Sequence, residues 1–218
     1  MTYISRVFFN ARQIIRLSIA MLLMSLAGCT ILPEAPALQV YLLPEQAPRA
    51  AGQQVDWSLR VVTPNSSQFL NSSRIAVQTQ GEEIQVYRGA RWGDSLPTLV
   101  RNRLIQQFRS DGRVAAVSSD DDSLSANFEL GGDLTAFQGL YRNGESEVLI
   151  RFDARLVQTS SRSILASRNF EIRQPITGKS MSEVVQAFGL ASDQLSSQVL
   201  AWTLEQGGSV EIKQSDLN

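Results

Sequence analysis

The chain has no histidine and a single cysteine, Cys29, in 218 residues. Without histidine, neither a Ser-His-Asp nor a Cys-His nucleophile can be assembled, and zinc sites that need imidazole are excluded. One cysteine excludes an internal disulfide and every metal site built from several thiolates. The 20 Lys and Arg are balanced by 21 Asp and Glu, so the chain lacks the basic surface of a nucleic-acid-binding protein. These absences predict a protein that is not an enzyme, with no cofactor, no metal and no nucleic-acid partner.

The first 28 residues have the pattern of a secretory signal peptide. They contain three arginines and no acidic residue, and an apolar stretch over residues 17–27 is too short to be a typical membrane span. The stretch ends in Leu26-Ala27-Gly28-Cys29, which resembles a bacterial lipobox. We therefore expect cleavage before Cys29 and lipidation of its thiol, with palmitate among the acyl groups. An ordinary signal peptide or an uncleaved anchor is the alternative interpretation.

Residues 29–37 are predicted to be a tether that carries Pro33 and Pro36. The eight residues after the cysteine span at most about 28 Å when extended, so the folded part must stay near its membrane. Thr30 stands where an aspartate would favour retention in the inner membrane. We therefore expect a lipid-anchored protein on the periplasmic face of the outer membrane.

Alternating apolar residues predict eight strands, arranged as four strands, a helix, four more strands and a second helix. The first four include a hairpin of residues 75–79 and 84–88 that closes at Gly89, and Gly131-Gly132 indicates a bulge or bend in a later strand. The last three strands form a meander in which the even-numbered apolar residues share one core-facing side. These residues are Phe128, Leu130, Leu134, Ala136, Leu140, Val148, Ile150, Phe152, Ala154, Leu156, Ile164, Ala166, Phe170 and Ile172.

Two segments have the periodicity of amphipathic helices. The first follows Asp94 as its expected N-cap, and the second opens with a capping box of Ser180 and Glu183 and ends at Gly207-Gly208. The fold class is therefore predicted to be α+β: a largely antiparallel β-sheet with two amphipathic helices packed on one face. The domain is expected to cover residues 38–206, followed by a flexible tail over residues 207–218.

The strand-to-helix junction at residues 87–97 has the most unusual composition in the chain. Tyr87, Arg88, Arg91 and Trp92 are residue types that dominate protein interfaces, and they are the candidate partner-binding residues. The alternative is structural, with Trp92 filling the core beside the start of the helix. A second cluster, Asp120–Asp122, lacks the spacing of an EF-hand and is interpreted as a solvated loop.

This junction resembles the ABC-type transport auxiliary lipoprotein component family, which includes the lipoprotein of paraquat-inducible (Pqi) systems. The resemblance runs from about Leu38 to Trp202. It departs mildly from the family pattern at Ser95 and Val114, where Pro and Phe are common. The residues that carry it are Tyr87, Arg88, Arg91, Trp92, Asp94, Leu96, Pro97, Gly112-Arg113-Val114 and the strand Ile164-Leu165-Ala166-Ser167-Arg168-Asn169-Phe170-Glu171.

The resemblance implies a noncatalytic docking subunit of an ABC-type or mammalian-cell-entry (MCE) system that moves lipids between two membranes and so contributes to envelope integrity. The expected partners are an MCE-domain protein and, through the acyl chains, the membrane itself. A homo-oligomer, or several copies on a ring-shaped partner, is left open. Two alternatives are a carrier that binds lipid in an apolar slot beside Trp202 and an assembly factor for another outer-membrane machine.

Overall fold

The computed structural model describes residues 16, 18, 37–44, 52–142 and 144–215. The chain divides into a segment over residues 1–37 and a folded unit that begins at Leu38. The expected signal peptide, the lipidated Cys29 and the tether up to residue 36 lie outside the described residues.

The folded unit is α+β, as predicted. Its described strands are β1 (Gln39–Tyr41), β2 (Val55–Val61), β3 (Asn65–Ser66), β4 (Arg74–Gln80), β5 (Glu83–Trp92), β6 (Val114–Ser119), β7 (Phe128–Arg142), β8 (Glu145–Gln158) and β9 (Ser163–Pro175). Its helices are α1 (Leu96–Asp111) and α2 (Met181–Ser215), and a 3₁₀ turn covers Asp120–Asp122. The predicted strands and helices are therefore all present, with β3 in addition, although several boundaries differ.

The 15-residue strand β7 organises the sheet. One of its edges pairs with β8 over the whole length of β7, and β8 in turn pairs with β9, both in the antiparallel sense. The other edge of β7 pairs in succession with β2, β3 and β4, all in the parallel sense. The sheet then continues from β4 through β5 to β1 and from β2 to β6, which leaves β1, β6 and β9 as end strands. The longest ladders are antiparallel, as the sequence predicts, and the sheet is curled.

The expectation that even-numbered residues share one face is wrong in two places. A register shift between Leu134 and Ala136 reverses the alternation in β7, so that Phe137 enters the main core. Ala136 and Leu140 instead form a small separate cluster with Leu149 on the other side of the sheet. A second shift in the pairing of β8 with β9 leaves Ile164 exposed. The bend expected at Gly131-Gly132 is not the site of either shift, since both glycines lie in regular register with β8.

The ends of the helices depart from the expectations in two places. Ser95, rather than Asp94, is the N-cap of α1. The capping box of α2 is confirmed, since Ser180 N–H donates to Glu183 at 2.8 Å and Glu183 N–H donates to the Ser180 hydroxyl at 3.3 Å. However, α2 does not end at Gly207-Gly208 but continues to Ser215, so the flexible tail expected from residue 207 is helical as far as Ser215.

Both helices bury their apolar stripes against the sheet in a single main cluster. Apart from the small cluster at Leu149 and the exposed Ile164, the opposite face of β8 and β9 is polar. It carries paired charges, among them Arg151 with Glu171 at 2.6 Å and Arg155 with Asp133, on β7, at 2.6 Å. Within the described residues, no helix has the length and apolar character needed to cross a membrane.

Candidate interaction surface

The four residues predicted to bind a partner lie on β5, near the end of the sheet, and they divide into two groups. Strand β5 continues past Gly89, where the sequence predicts its end, and reaches Trp92. Here β1 pairs with β5 in parallel register, with Val40 opposite Arg91 and Tyr41 opposite Trp92. Because directly paired residues project to the same side of a sheet, Arg91 shares a face with Val40 and Trp92 shares the other with Tyr41.

Trp92 is a core residue, and its predicted role as a surface contact is wrong. Its side chain is 1% exposed. The ring packs edge-on against Phe188 of α2 at 5.3 Å and against Phe137 of β7 at 6.2 Å, and the two phenylalanines stack on each other at 5.1 Å. This aromatic cluster joins the sheet to α2, so the structural alternative for Trp92 is the correct one.

Tyr87 is half-buried and also contributes to packing. Its hydroxyl lies 3.0 Å from the hydroxyl of Tyr141, and its ring packs against the main core. Burial, followed by the hydrogen bond with Tyr141, raises the pKa of the Tyr87 phenol well above its usual range. The phenol is neutral at physiological pH, and its hydroxyl is already engaged in the hydrogen bond with Tyr141.

Arg88 and Arg91 are the exposed members of the predicted group. They stand on either side of Gly89, whose φ of 72° is in the left-handed region that glycine adopts readily. The pairing of β5 with β4 is irregular across this point, since the register shifts between Arg74 and Ala76. The local bend allows both arginines to project to solvent while Ala90 between them packs against the core.

A stripe of exposed apolar residues on and beside β1 was missed in the sequence analysis. Leu38, Val40 and Leu42 are 54%, 52% and 78% exposed, while Tyr41 and Leu43 between and after them pack against the core. The alternation that places these residues on two faces is visible in the sequence. The sequence does not show that one of those faces remains uncovered, because that depends on where β1 lies in the sheet.

The motif Gly112-Arg113-Val114 has a structural role in this protein. Gly112 is the C-cap of α1, and its N–H donates to the Phe108 carbonyl at 3.1 Å. The Arg113 guanidinium binds both carboxylate oxygens of the buried Asp111, at 2.7 and 2.9 Å. Val114 begins β6 inside the core. The motif therefore fixes the turn from α1 into β6.

The carboxylates of Asp120–Asp122 are exposed, as predicted, but they also bind protein donors. Arg101 of α1, a largely buried arginine, forms ion pairs with Asp120 at 2.7 Å and Asp121 at 2.8 Å. Asp122 accepts a hydrogen bond from the Ser119 backbone at 2.7 Å, which lowers its pKa. Among the described residues, no group of three or more metal-ligating side chains is found. The cluster serves to attach α1 to the turn after β6.

The interface between α2 and the sheet is filled by side chains at the point where the sequence suggested a lipid slot. Trp202 is buried and packs edge-on against Phe170 of β9, with ring centroids 5.9 Å apart. The rest of the α2 stripe, including Leu195 and Val199, belongs to the same core cluster. Direct contact between helix and sheet at Trp202 therefore gives the lipid-carrier alternative no support.

Comparison with protein families gives one match that covers most of the folded unit. The model of the ABC-type transport auxiliary lipoprotein component family matches residues 41–200. A curated relative, an uncharacterised protein of Bradyrhizobium diazoefficiens, is 26% identical over 154 residues, which are 71% of this chain and 41% of the relative. The chain thus spans about two-fifths of the length of that relative.

Two solved structures are similar over most of the chain. The crystal structure of a Xanthomonas campestris protein, assigned to the DUF330 family, has a TM-score of 0.74 and 27% sequence identity, and the match covers 79% of this chain and 98% of that one. The crystal structure of a second, uncharacterised protein has a TM-score of 0.59 at 18% identity, covering 75% of this chain and 96% of that one. The second likeness concerns the fold alone.

Proposed function

The chain belongs to the family of ABC-type transport auxiliary lipoprotein components, and on that premise we propose that it is the noncatalytic docking subunit of an MCE-type lipid transport system at the outer membrane. The family match over residues 41–200 is the observation that carries the proposal, because it covers nearly all of the described fold. Acyl chains on Cys29 would hold one end of the protein, and the folded unit would bind the transport partner.

The proposed anchor follows from the sequence Leu26-Ala27-Gly28-Cys29. Several acyl chains on one residue bind a bilayer stably, where a single chain gives only marginal attachment. Mass spectrometry of the purified full-length product should find a chain that begins at acylated Cys29. A Cys29→Ser variant should leave the membrane fraction or retain its leader. An unmodified thiol in a water-soluble product would refute the anchor.

Two carboxylates on the polar face of the sheet are engaged by neighbouring arginines and show no sign of a role as general acids. A general acid at neutral pH needs a raised carboxyl pKa. Here hydrogen bonds from Arg151 and then Arg173 lower the pKa of Glu171, and the hydrogen bond from Arg155 lowers the pKa of Asp133. These carboxylates are already engaged with neighbouring arginines, an arrangement that favours a stable polar face over proton transfer.

We place the protein-partner contact at Arg88 and at the half-buried side chain of its neighbour Tyr87. Of the two exposed arginines, Arg88 is chosen because Arg91 is paired with Val40 of β1, whereas Arg88 has no partner on that strand. Arginine and tyrosine are both enriched among the residues that dominate protein interfaces. Trp92 has no part in this contact because it is buried.

The test is capture of the partner from detergent-solubilised envelopes with the tagged full-length lipoprotein. The wild type should recover an MCE-domain protein, and Arg88→Glu should recover at least several-fold less. Arg162→Glu is the matched control, since Arg162 is also exposed but lies in the turn between β8 and β9. Repeated recovery of no MCE protein by the wild type would refute the proposed partner. Equal loss with both arginine variants would refute the proposed contact.

A further inference from the structure

Three exposed apolar side chains lie together on and beside β1, an end strand of the sheet at the start of the folded unit. Leu38, Val40 and Leu42, here called the β1 stripe, account for three of the five large hydrophobic residues that are exposed in the described part of the chain. A side chain at Gly93 would contact both Leu42 and Val40, at 3.3 and 4.0 Å, which shows that these two lie on the same side of β5. Exposed apolar residues that cluster in this way, unlike single ones, indicate a contact surface.

Two arginines border the β1 stripe. Arg91 is directly paired with Val40 across β5 and β1, and Arg74 is directly paired with Arg91 across β4 and β5. All three therefore project from the same face. Both arginines are exposed, and neither forms an ion pair with another residue in the described part of the chain. The face thus combines apolar side chains with uncompensated positive charge.

The position of the β1 stripe in the chain limits what can cover it. Leu38 begins the folded unit, and only eight residues separate it from Cys29 along the chain. Eight residues extend to at most about 28 Å. If Cys29 carries acyl chains, the β1 stripe is the part of the folded unit closest to the anchor along the chain.

We infer that the β1 stripe, with Arg91 and Arg74, is a membrane-contact face that rests on the bilayer to which the protein is anchored. The inference rests on the proposed lipidation of Cys29. The three apolar side chains enter the boundary between headgroups and acyl chains, and the two guanidinium groups bind phospholipid phosphates beside them. Apolar residues flanked by cations are the composition of surfaces that lie in a membrane interface, and guanidinium binds phosphate through paired hydrogen bonds.

Cleavage before Cys29 would remove three arginines and no acids, leaving 17 Lys and Arg against 21 Asp and Glu, but this acidic balance does not oppose the contact. Screening at physiological ionic strength limits the reach of surface charge to about 8 Å, so the local arginines, rather than the net charge, decide the interaction at this face. A protein partner that adds a strand to β1 is less well supported, because β1 offers only three residues of edge. The membrane contact would hold the folded unit in one orientation relative to the bilayer.

A tryptophan placed in the β1 stripe tests the contact directly. The three native tryptophans, Trp57, Trp92 and Trp202, are all buried and give a constant background. The full-length lipidated variant Leu42→Trp is reconstituted into vesicles of phosphatidylethanolamine and phosphatidylglycerol with brominated acyl chains, which quench fluorescence on contact. Ile164→Trp is the matched control, because Ile164 is 59% exposed on β9, away from β1.

We expect brominated lipid to quench the added fluorescence of Leu42→Trp at least threefold more than that of Ile164→Trp. Adding Arg74→Glu and Arg91→Glu to Leu42→Trp should reduce this quenching. Equal quenching of both tryptophans, or quenching of neither, would overturn the membrane contact. Protection of the tryptophan at position 42 from aqueous acrylamide without lipid quenching would show that a protein covers the face instead, and would also overturn it.

Flotation of the same vesicles separates this inference from the proposed anchor. Every variant should float with the lipid, because the acyl chains on Cys29 are unchanged. A protein that floats without quenching at position 42 refutes the contact face alone. A protein that fails to float refutes the anchor, and with it the premise on which the contact face was inferred.

Discussion

Arg103 of α1 and Asp193 of α2 form an ion pair of 2.7 Å between the two helices, with the arginine side chain 7% and the aspartate side chain 20% exposed. The same guanidinium donates to the carbonyl of Pro44, in the segment after β1. One buried arginine therefore connects both helices with the chain that follows the first strand. Removing either residue would leave the charge of the other without this partner at a site that is largely shielded from water.

Asp193→Ala is expected to lower the free energy of unfolding by about 3 kcal/mol, since breaking a buried ion pair leaves the remaining charge poorly compensated. Urea unfolding followed by circular dichroism measures the change. Glu171→Gln is the control, because Glu171 pairs with Arg151 on the solvent-facing side of the sheet. Exposed pairs contribute less than about 1 kcal/mol. Equal effects for the two variants would contradict the structural role assigned to Arg103.

Trp92→Ala is expected to destabilise the protein by about 3–5 kcal/mol, as do other truncations of buried aromatic residues. The reason is the loss of its edge-on contacts with Phe188 and Phe137. Differential scanning calorimetry would show a lower melting temperature. Leu42→Ala should change stability by less than about 0.5 kcal/mol, because this side chain is exposed. A stable Trp92→Ala protein that fails only in partner capture would restore the surface interpretation.

Gly207 and Gly208 are adjacent in α2 but should respond in opposite ways to alanine. A Cβ at Gly207 would lie 2.6 Å from the Trp57 ring, whereas a Cβ at Gly208 would meet nothing within 4 Å. We expect Gly207→Ala to destabilise by about 1–3 kcal/mol through overpacking. Gly208→Ala should stabilise by about 0.5–1 kcal/mol through helix propensity. Parallel urea titrations test both values, and a stabilising Gly207→Ala would show that α2 does not approach Trp57 this closely.

Asp120 should contribute to the loss of stability in acid. Partial burial would raise its pKa, but hydrogen bonds from Thr63 and Arg101 outweigh this and hold the pKa below its usual value. A carboxyl with a lowered folded-state pKa stabilises the protein above its unfolded pKa of about 3.9, and that contribution is lost as the pH falls through the lower, folded value. Asp120→Asn should therefore reduce the dependence of unfolding free energy on pH below about pH 4.

Urea titrations at pH 7, 5 and 3 would measure this dependence. Asp94→Asn is a suitable control, because the Asp94 carboxylate accepts a hydrogen bond from the neighbouring Ser95 backbone rather than from an arginine. An unchanged acid dependence in Asp120→Asn would mean that the hydrogen bonds from Thr63 and Arg101 to Asp120 are not formed in solution.

Most strands and both helices could be predicted because each is encoded by the local spacing of apolar residues. The capping box of Ser180 and Glu183 is an interaction between near neighbours, and its prediction was correct for that reason. The register shifts were not predicted. The shift between Leu134 and Ala136 depends on how β7 pairs with β8, and it moves Phe137 into the core without any signal in the alternation itself.

The candidate surface was likewise predicted only in part from the sequence. The sequence identified Tyr87, Arg88, Arg91 and Trp92 as an unusual group, but residue type did not distinguish an interface tryptophan from a core tryptophan. That distinction came from Phe188, about a hundred residues later in the chain, which covers the Trp92 ring. The β1 stripe could not be recognised for the complementary reason, since exposure of Leu42 depends on what fails to pack over it.

Composition, charge and local periodicity by themselves determined that this chain offers no histidine chemistry and no internal disulfide, that it belongs to the α+β class, and that Cys29 is the position to test for an anchor. Tertiary structure decided which face of β1 remains open, which aromatic residues join sheet to helix, and that α2 continues past two glycines. The physical reason is the separation along the chain between the residues that interact. Hydrophobic periodicity and capping act between residues a few positions apart, whereas burial and charge pairing depend on residues that only the folded chain brings together.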